Sequence, residues 1–320
     1  MNKQKNLNEI KPGEEIILFL VVDKIELKTT KGGNPYLNLE LRDKTGSISA
    51  KLWERAEETY SQIMPNSIVK IAGKMEEFNG NPQIKIEKIR PAVESDGISF
   101  EFFLAKSNRK LEEMINELNS FIESVKNPFL NKLLVTVFSG KTLEKFQTAP
   151  AGKGWHHAYI HGLLEHTIEI AKICELMCTF HKELNRDLLI SGALLHDLGK
   201  IEELTYQTFF DYTDKGKLLG HIVIAALEVQ QAIDRINDFP EELKEQILHL
   251  ILSHQGKLEF ASPVEPRTLE AITLYQADEL SAKTNAYKLA IAAEKNKDVS
   301  WTKYLPLAET SLFIPKNNQS

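Results

Sequence analysis

The doublet His196-Asp197 constrains this chain more than any other feature. It lies in Leu194-Leu195-His196-Asp197-Leu198-Gly199-Lys200, with His166 before it and His221, His254 and Asp278 after it. These groups arrive at helix-sized intervals, the pattern by which a helical bundle converges side chains on a metal centre. Imidazole nitrogen and carboxylate oxygen suit divalent Mn, Fe, Zn, Co or Ni, and no thiolate is present to argue for a structural zinc site. Neighbours on a helix point about 100° apart, so His196 and Asp197 can straddle an ion held between helices.

The pattern predicts His166 in a helix continuing through 167–180. The doublet closes a helix over 186–198, with Gly199 as its left-handed terminator. His221 opens a helix through 222–230, His254 ends one begun near Glu241, and Asp278 sits inside one that starts at Thr268. An amphipathic helix precedes them, with Leu111, Met114, Ile115, Leu118, Phe121, Ile122 and Val125 on one stripe and Asn127-Pro128 as its stop. Such a stripe packs on its own domain or supports self-association.

Residues 14–92 read differently. Ile16 to Val22 is a continuous β-prone run, Lys31-Gly32-Gly33-Asn34-Pro35 is a turn, and Tyr36 to Leu41 alternates. Asp43-Lys44-Thr45-Gly46 connects tightly into Ser47 to Trp53. A helical segment near 54–63 separates this third strand from Ser67 to Gly73, and the turn Phe78 to Pro82 leads into Gln83 to Ile86. Five short strands with a helix between the third and fourth is the order of an OB-fold barrel. The expected architecture is therefore α+β and multidomain: an N-terminal five-stranded OB-fold β-barrel, then an all-α bundle. A length of 320 residues agrees with two cores. Pro91 to Gly97 is the composition break, placing the barrel at 1–95, a linker and amphipathic segment at 96–150, and the bundle at 151–320.

The order H…HD…H…H…D resembles the HD superfamily of metal-dependent phosphohydrolases. The run Gly154-Trp155-His156-His157-Ala158-Tyr159-Ile160-His161-Gly162-Leu163-Leu164-Glu165-His166-Thr167 is similar to the approach to the first ligand in the YhaM family of 3′→5′ exoribonucleases, which places an OB-fold domain before its HD domain. Leu39 to Ile48 looks like the second and third strands of that OB domain. The resemblance spans about 14–304. It implies that His166, His196, Asp197 and Asp278 hold a first metal, and that His221 and His254 complete a second site with Asp197 bridging. It also implies two divalent ions, Mn²⁺ before Co²⁺ or Fe²⁺, and a two-metal hydroxide attack on the phosphodiester.

Each residue also has a bland reading. Lys200 either adds positive charge at the phosphoryl oxygen or serves the helix macrodipole as a C-terminal cation. His156, His157 and His161 either reach the mouth of the site, as phosphate contacts or proton donors, or form a histidine cluster without chemistry. His249 should face away from His254, and His181 should lie at the surface. Cys174 and Cys178 read as buried reduced thiols rather than ligands.

The implied activity is a metal-dependent 3′→5′ exoribonuclease that releases nucleoside 5′-monophosphates from single-stranded RNA, with single-stranded DNA as a further substrate. Tyr36, Trp53 and Phe78 are candidate stacking platforms, with Lys31 in the glycine loop beside Tyr36; each ring could equally be core, Trp53 above all. Two alternatives remain: an HD phosphohydrolase of a small nucleotide or cyclic dinucleotide, and a non-catalytic nucleic-acid-binding protein. The glycine-tyrosine-proline signature of the cyclic-di-GMP class is absent after Lys200. Crowded polar groups without a metal would be costly to bury, which weighs against the non-catalytic reading. A net charge of −6 argues against bulk capture of duplex nucleic acid, though not against a local basic groove. No apolar run is long enough to span a bilayer, and no apolar region follows Met1 to Asn6, so the expected location is cytoplasmic. A homo-oligomer is expected from the resemblance and the amphipathic helix.

Overall fold

The structure, a computed structural model, describes residues 4–78, 80–98, 100–153, 157–205, 210–294 and 299–315. The chain separates into two compact units between Ala105 and Lys106.

The first unit is a closed barrel built from β1 (Glu15–Thr29), β2 (Pro35–Asp43), β3 (Gly46–Leu52), β4 (Ile68–Phe78) and β5 (Asn81–Pro91), in the order β1-β2-β3-β5-β4. A helix, α1 (Ala56–Gln62), falls between β3 and β4, which completes the OB topology. β1 is long enough to serve two partners: residues from Glu15 to Val21 pair with β4, and those from Val21 to Thr29 pair with β2. A bulge between Val22 and Lys24 turns the strand between them. The barrel closes through the parallel pair β3–β5, leaving no long open edge. Alternation decides what faces inward: Leu37, Leu39 and Leu41 of β2 are buried with Ile48, Ala50 and Leu52 of β3, each large side chain worth about 1.5–3 kcal/mol of burial. The β2–β3 turn is held by Asp43, whose carboxylate accepts from Thr45 N and Oγ1 at 2.7 and 2.6 Å and from Leu7 N at 2.7 Å.

The second unit is helical: α2 (Leu111–Ser124), α3 (Pro128–Val137), α4 (Gly140–Thr148), α5 (Gly162–Phe180), α6 (Arg186–Leu195), α7 (Lys200–Glu203), α8 (Asp214–Ile233), α9 (Glu241–Ser253) and α10 (Leu269–Glu294). A short ladder of Leu204–Thr205 (β6) with Asp211–Tyr212 (β7) sits among these helices. Met114, Leu118 and Ile122 of α2 join Leu130, Leu133 and Leu134 of α3 in the same core as α5, α6 and α9. Residues 106–150 are thus part of the bundle rather than a linker to it. α2 ends at Ser124, with extended Val125 as its C-cap, and Asn127 starts α3: its Oδ1 accepts from Phe129 N and Leu130 N, and Pro128 takes the first helical position, where no N–H is needed.

Two boundaries differ from expectation and both shape the site. α6 stops at Leu195, and the next four residues form turns with i→i+3 bonds before α7. Gly199 is in the right-handed region (φ −63°, ψ −18°), so it does not act as a left-handed terminator. Its requirement is space: a Cβ there would lie 2.0 Å from His221 O and 2.8 Å from Ala225 N. The missing side chain lets α8 approach the doublet. α8 itself begins seven residues before His221 but breaks at Gly220 (φ 71°, ψ 153°), so His221 opens its second half.

Candidate active site

Asp197 is the hub of the helical unit. Its Oδ2 lies 3.3 Å from His196 Nε2, 3.7 Å from His166 Nε2 and 2.6 Å from Lys200 Nζ. Its Oδ1 lies 3.5 Å from His221 Nε2 and 3.6 Å from His254 Nε2. Asp278 Oδ1 is 3.1 Å from His166 Nε2. Six segments therefore deliver the cluster: α5, the turn after α6, the start of α7, the second half of α8, the C-cap of α9 and the middle of α10. All of these residues are buried except His221, which is half-buried.

Each imidazole is fixed from behind. Nδ1 of His196 meets Ala193 O at 2.8 Å, and that of His254 meets Ile251 O at 2.7 Å. His221 Nδ1 meets Glu203 Oε1 at 3.1 Å, and the same oxygen accepts from His221 N at 3.0 Å. His166 Nδ1 meets Ser281 Oγ at 3.1 Å, and that hydroxyl donates to Glu169 Oε2 at 2.9 Å. Acceptors behind the rings assign the proton to Nδ1 and leave each Nε2 lone pair facing the Asp197 carboxylate.

That arrangement suits a cation. Lone pairs and a carboxylate turned toward one another repel, and His196 Nε2, His221 Nε2 and Asp197 Oδ1 are buried without a hydrogen bond. Each such group costs about 1–3 kcal/mol unless something positive sits between them. The ligand atoms of His166, His196 and Asp197 lie within 4.8 Å of one another, as do those of Asp197, His221 and His254. Two triads sharing one carboxylate, with nitrogen and oxygen donors only, fit divalent metal binding. Two of the rings are poised for ligation: burial holds His166 and His254 below their ordinary values, favouring neutral imidazole. Against its burial, His196 is held above its ordinary value by the Asp197 carboxylate beside it, so without a metal these two groups share the charge that an ion would replace. Burial alone would raise Asp197, but the Lys200 ammonium, the largest opposing influence, helps hold the carboxyl well below the usual range. Metal ligation needs neutral imidazole and ionised carboxylate.

The upstream histidines fall elsewhere. His156 lies outside the described residues. His157 has no exposed surface, so of its two readings the solvent-facing mouth of the site is the one its burial disfavours. Its Nδ1 meets the Tyr159 hydroxyl at 2.6 Å and its Nε2 lies 3.3 Å from Glu169, so it braces the carboxylate that orients Ser281 and His166. His161 caps α5 in a left-handed conformation and its Nδ1 meets Gln147 O at 2.6 Å, a contact that serves the fold. His249 faces away, accepting from Arg267 N, and His181 is exposed. Cys174 is buried, and burial pushes both thiols up, away from the ligating thiolate.

On the barrel, Tyr36 and Trp53 stack with ring centroids 4.8 Å apart and 24° between planes. Trp53 and Phe78 are exposed, so neither is core. Lys51 Nζ lies 5.9 Å from the Trp53 ring and 5.0 Å from the Phe78 ring. Lys51 thus joins the three aromatic residues into one patch, and it was not among the expected contacts. Its signal was available: it is two residues before Trp53, on the same outward side of an alternating strand. Lys31 is exposed on the β1–β2 turn.

Comparison with known proteins places both units. Residues 163–283 match the HD domain, and residues 20–92 match an OB-fold nucleic acid binding domain. The chain is 35% identical to the 3′-5′ exoribonuclease YhaM of Geobacillus sp. (strain WCH70), over 97% of this chain and 94% of that protein. It is 34% identical to the protein of the same name from Bacillus subtilis (strain 168), over 92% of this chain and 93% of that one. The chain belongs to the YhaM family.

Proposed function

We infer that this protein is a metal-dependent 3′→5′ exoribonuclease that hydrolyses single-stranded RNA to nucleoside 5′-monophosphates. The observation that carries this reading is the pair of triads sharing the buried Asp197, in a chain whose near full-length relatives bear that name. His166, His196, Asp197 and Asp278 would hold one divalent ion, and Asp197, His221 and His254 a second. Mn²⁺ is the first choice from the mixed donors, with Co²⁺ or Fe²⁺ next. Such ions acidify water and neutralise charge on a phosphodiester. The protein's part is to fix the donors: Nδ1 contacts lock four rings, and Lys200 keeps Asp197 ionised while offering its ammonium to a phosphoryl oxygen.

The Tyr36–Trp53 stack with Lys51 and Phe78 is the proposed grip on the strand, because a flat ring accepts any base and an ammonium follows the backbone. Lys31 would add charge beside it. Among the described residues no helix is long and apolar enough to cross a membrane. A cytoplasmic, self-associating enzyme is the reading we carry forward.

A time course with Mn²⁺ and 5′-labelled single-stranded RNA tests the function. Progressive shortening that needs a free 3′ end and is lost in Asp197→Ala is expected. RNA left intact by a protein that still cleaves a small phosphodiester would move the assignment to a small-nucleotide phosphohydrolase.

A further inference from the structure

A cavity of about 500 Å³ opens directly beside the ligand cluster, within the helical unit. Lys200, His254 and Asp278 form one end, and Ala308 and Glu309 of the C-terminal segment form another wall. A volume of this size accepts a nucleotide-sized ligand, at the lower part of the range for small-molecule sites. Three rings line it: Phe260, Tyr275 and Tyr287. They are not equivalent. Phe260 already carries the Lys257 ammonium, 5.2 Å from its centroid. Tyr287 lies nine residues beyond Asp278, about 13 Å along α10. Tyr275 lies three residues before Asp278, one turn or about 4.5 Å along the same helix face, the scale of the ribose between a base and its phosphate.

Tyr275 is also held in place. A Cβ on Gly256 would lie 2.2 Å from Tyr275 Cε2 and 2.3 Å from Cδ2, so the ring rests against bare backbone. Gly256 has φ +78°, and its neighbour His254 is a candidate ligand of the second ion. The loop that carries this ligand therefore also seats the ring.

We propose that this cavity seats the terminal nucleotide of the substrate, with Tyr275 as the platform for its base and the phosphate at the Lys200–Asp278 end. This rests on the exoribonuclease reading for the polymer, but the nucleotide pocket is testable by itself. Tyr275 sets where the phosphate lies through the base it stacks. The base itself is read by its flat face, which predicts little preference among the four bases.

Calorimetry on the full chain with Mn²⁺, titrated with adenosine 5′-monophosphate or ribose 5-phosphate, decides it. Adenosine 5′-monophosphate is expected to bind about tenfold tighter, the range of one base–aromatic stack. Tyr275→Ala should erase that gap and leave ribose 5-phosphate affinity within about twofold, and Tyr275→Phe should restore it. Tyr275→Leu keeps the apolar contact with Gly256 but has no ring face, so it decides the matter if the alanine variant misfolds. Gly256→Ala should narrow the gap by displacing the ring. Equal affinities for the two ligands in the wild type, or equal losses for both in Tyr275→Leu, would overturn the proposal. A base-dependent gap in a protein that leaves RNA intact would keep the pocket and discard the polymer substrate. Degraded RNA without a gap would do the reverse.

Discussion

The two units solve the problem of an interior in opposite ways. Inside the barrel, Asp43 is the one buried charged side chain among the described residues, and it is satisfied by backbone and hydroxyl donors. Inside the bundle, Asp197, Lys200, Glu203 and Asp278 are buried together with four histidines. The barrel core is self-sufficient, because apolar alternation on closed strands needs no ligand. The bundle core is not, because its donors face one another across a space that suits a cation. Function is concentrated where the interior is least content.

The strongest challenge to that contrast is Asp197→Ala, which removes the carboxylate shared by both triads. Hydrolysis should fall by at least the roughly 10²–10³-fold that one electrostatic group is worth, and bound metal measured by elemental analysis should fall with it. Retained metal would break the shared-hub description.

Leu39→Ala probes the other interior. Truncating a side chain that is 1% exposed should cost about 2–5 kcal/mol of barrel stability and leave metal content unchanged. A chelator should do the opposite, lowering the unfolding free energy of the helical unit by about 2.7 kcal/mol where metal was present at a hundred times its Kd. Coincident shifts under both treatments would show that the two interiors are not independent.

Glu203→Gln sharpens the account of how the bundle orders its donors. Glu203 touches His221 through both ring and backbone, so the change should weaken metal binding by about 10–100-fold while far-ultraviolet circular dichroism stays the same. An unchanged affinity would mean that the Gly220 break alone orients His221.

Trp53→Ala carries the smallest effect. Losing half of the Tyr36 stack should weaken binding of single-stranded RNA by about 1–3 kcal/mol in a fluorescence titration. Cleavage of a dinucleotide should be unchanged. Equal losses on both substrates would remove the barrel from substrate capture.

Much of this was legible before any coordinates. The barrel followed from alternation in Tyr36 to Leu41 and Ser47 to Trp53, because a strand exposes alternate residues and period two cannot be mistaken over several strands. The HD-type donors followed from their order, since a helix-sized interval is the distance after which a bundle returns to its centre. What was not legible shares a different cause. Gly199 was read as a terminator because position after a helix is a local signal, whereas its real constraint is the α8 backbone at 2.0 Å. For His157 the sequence leaves two readings open, the mouth of the site or a cluster without chemistry, because its surroundings are not local: Tyr159, Glu169 and Asn285 pack around it and bury it.

By itself, then, the sequence determined which side chains are available as donors, which strands alternate and which stretches of the second half are helical. Those are consequences of local geometry and residue chemistry. Only the tertiary structure decided which groups stand behind the donors. Ser281 meets His166 across 115 residues, Glu203 meets His221 across 18, and Tyr275 rests on Gly256 from another helix. Contacts of this kind leave no periodic trace, because each depends on two distant backbones approaching closely enough for a single pair of atoms to meet.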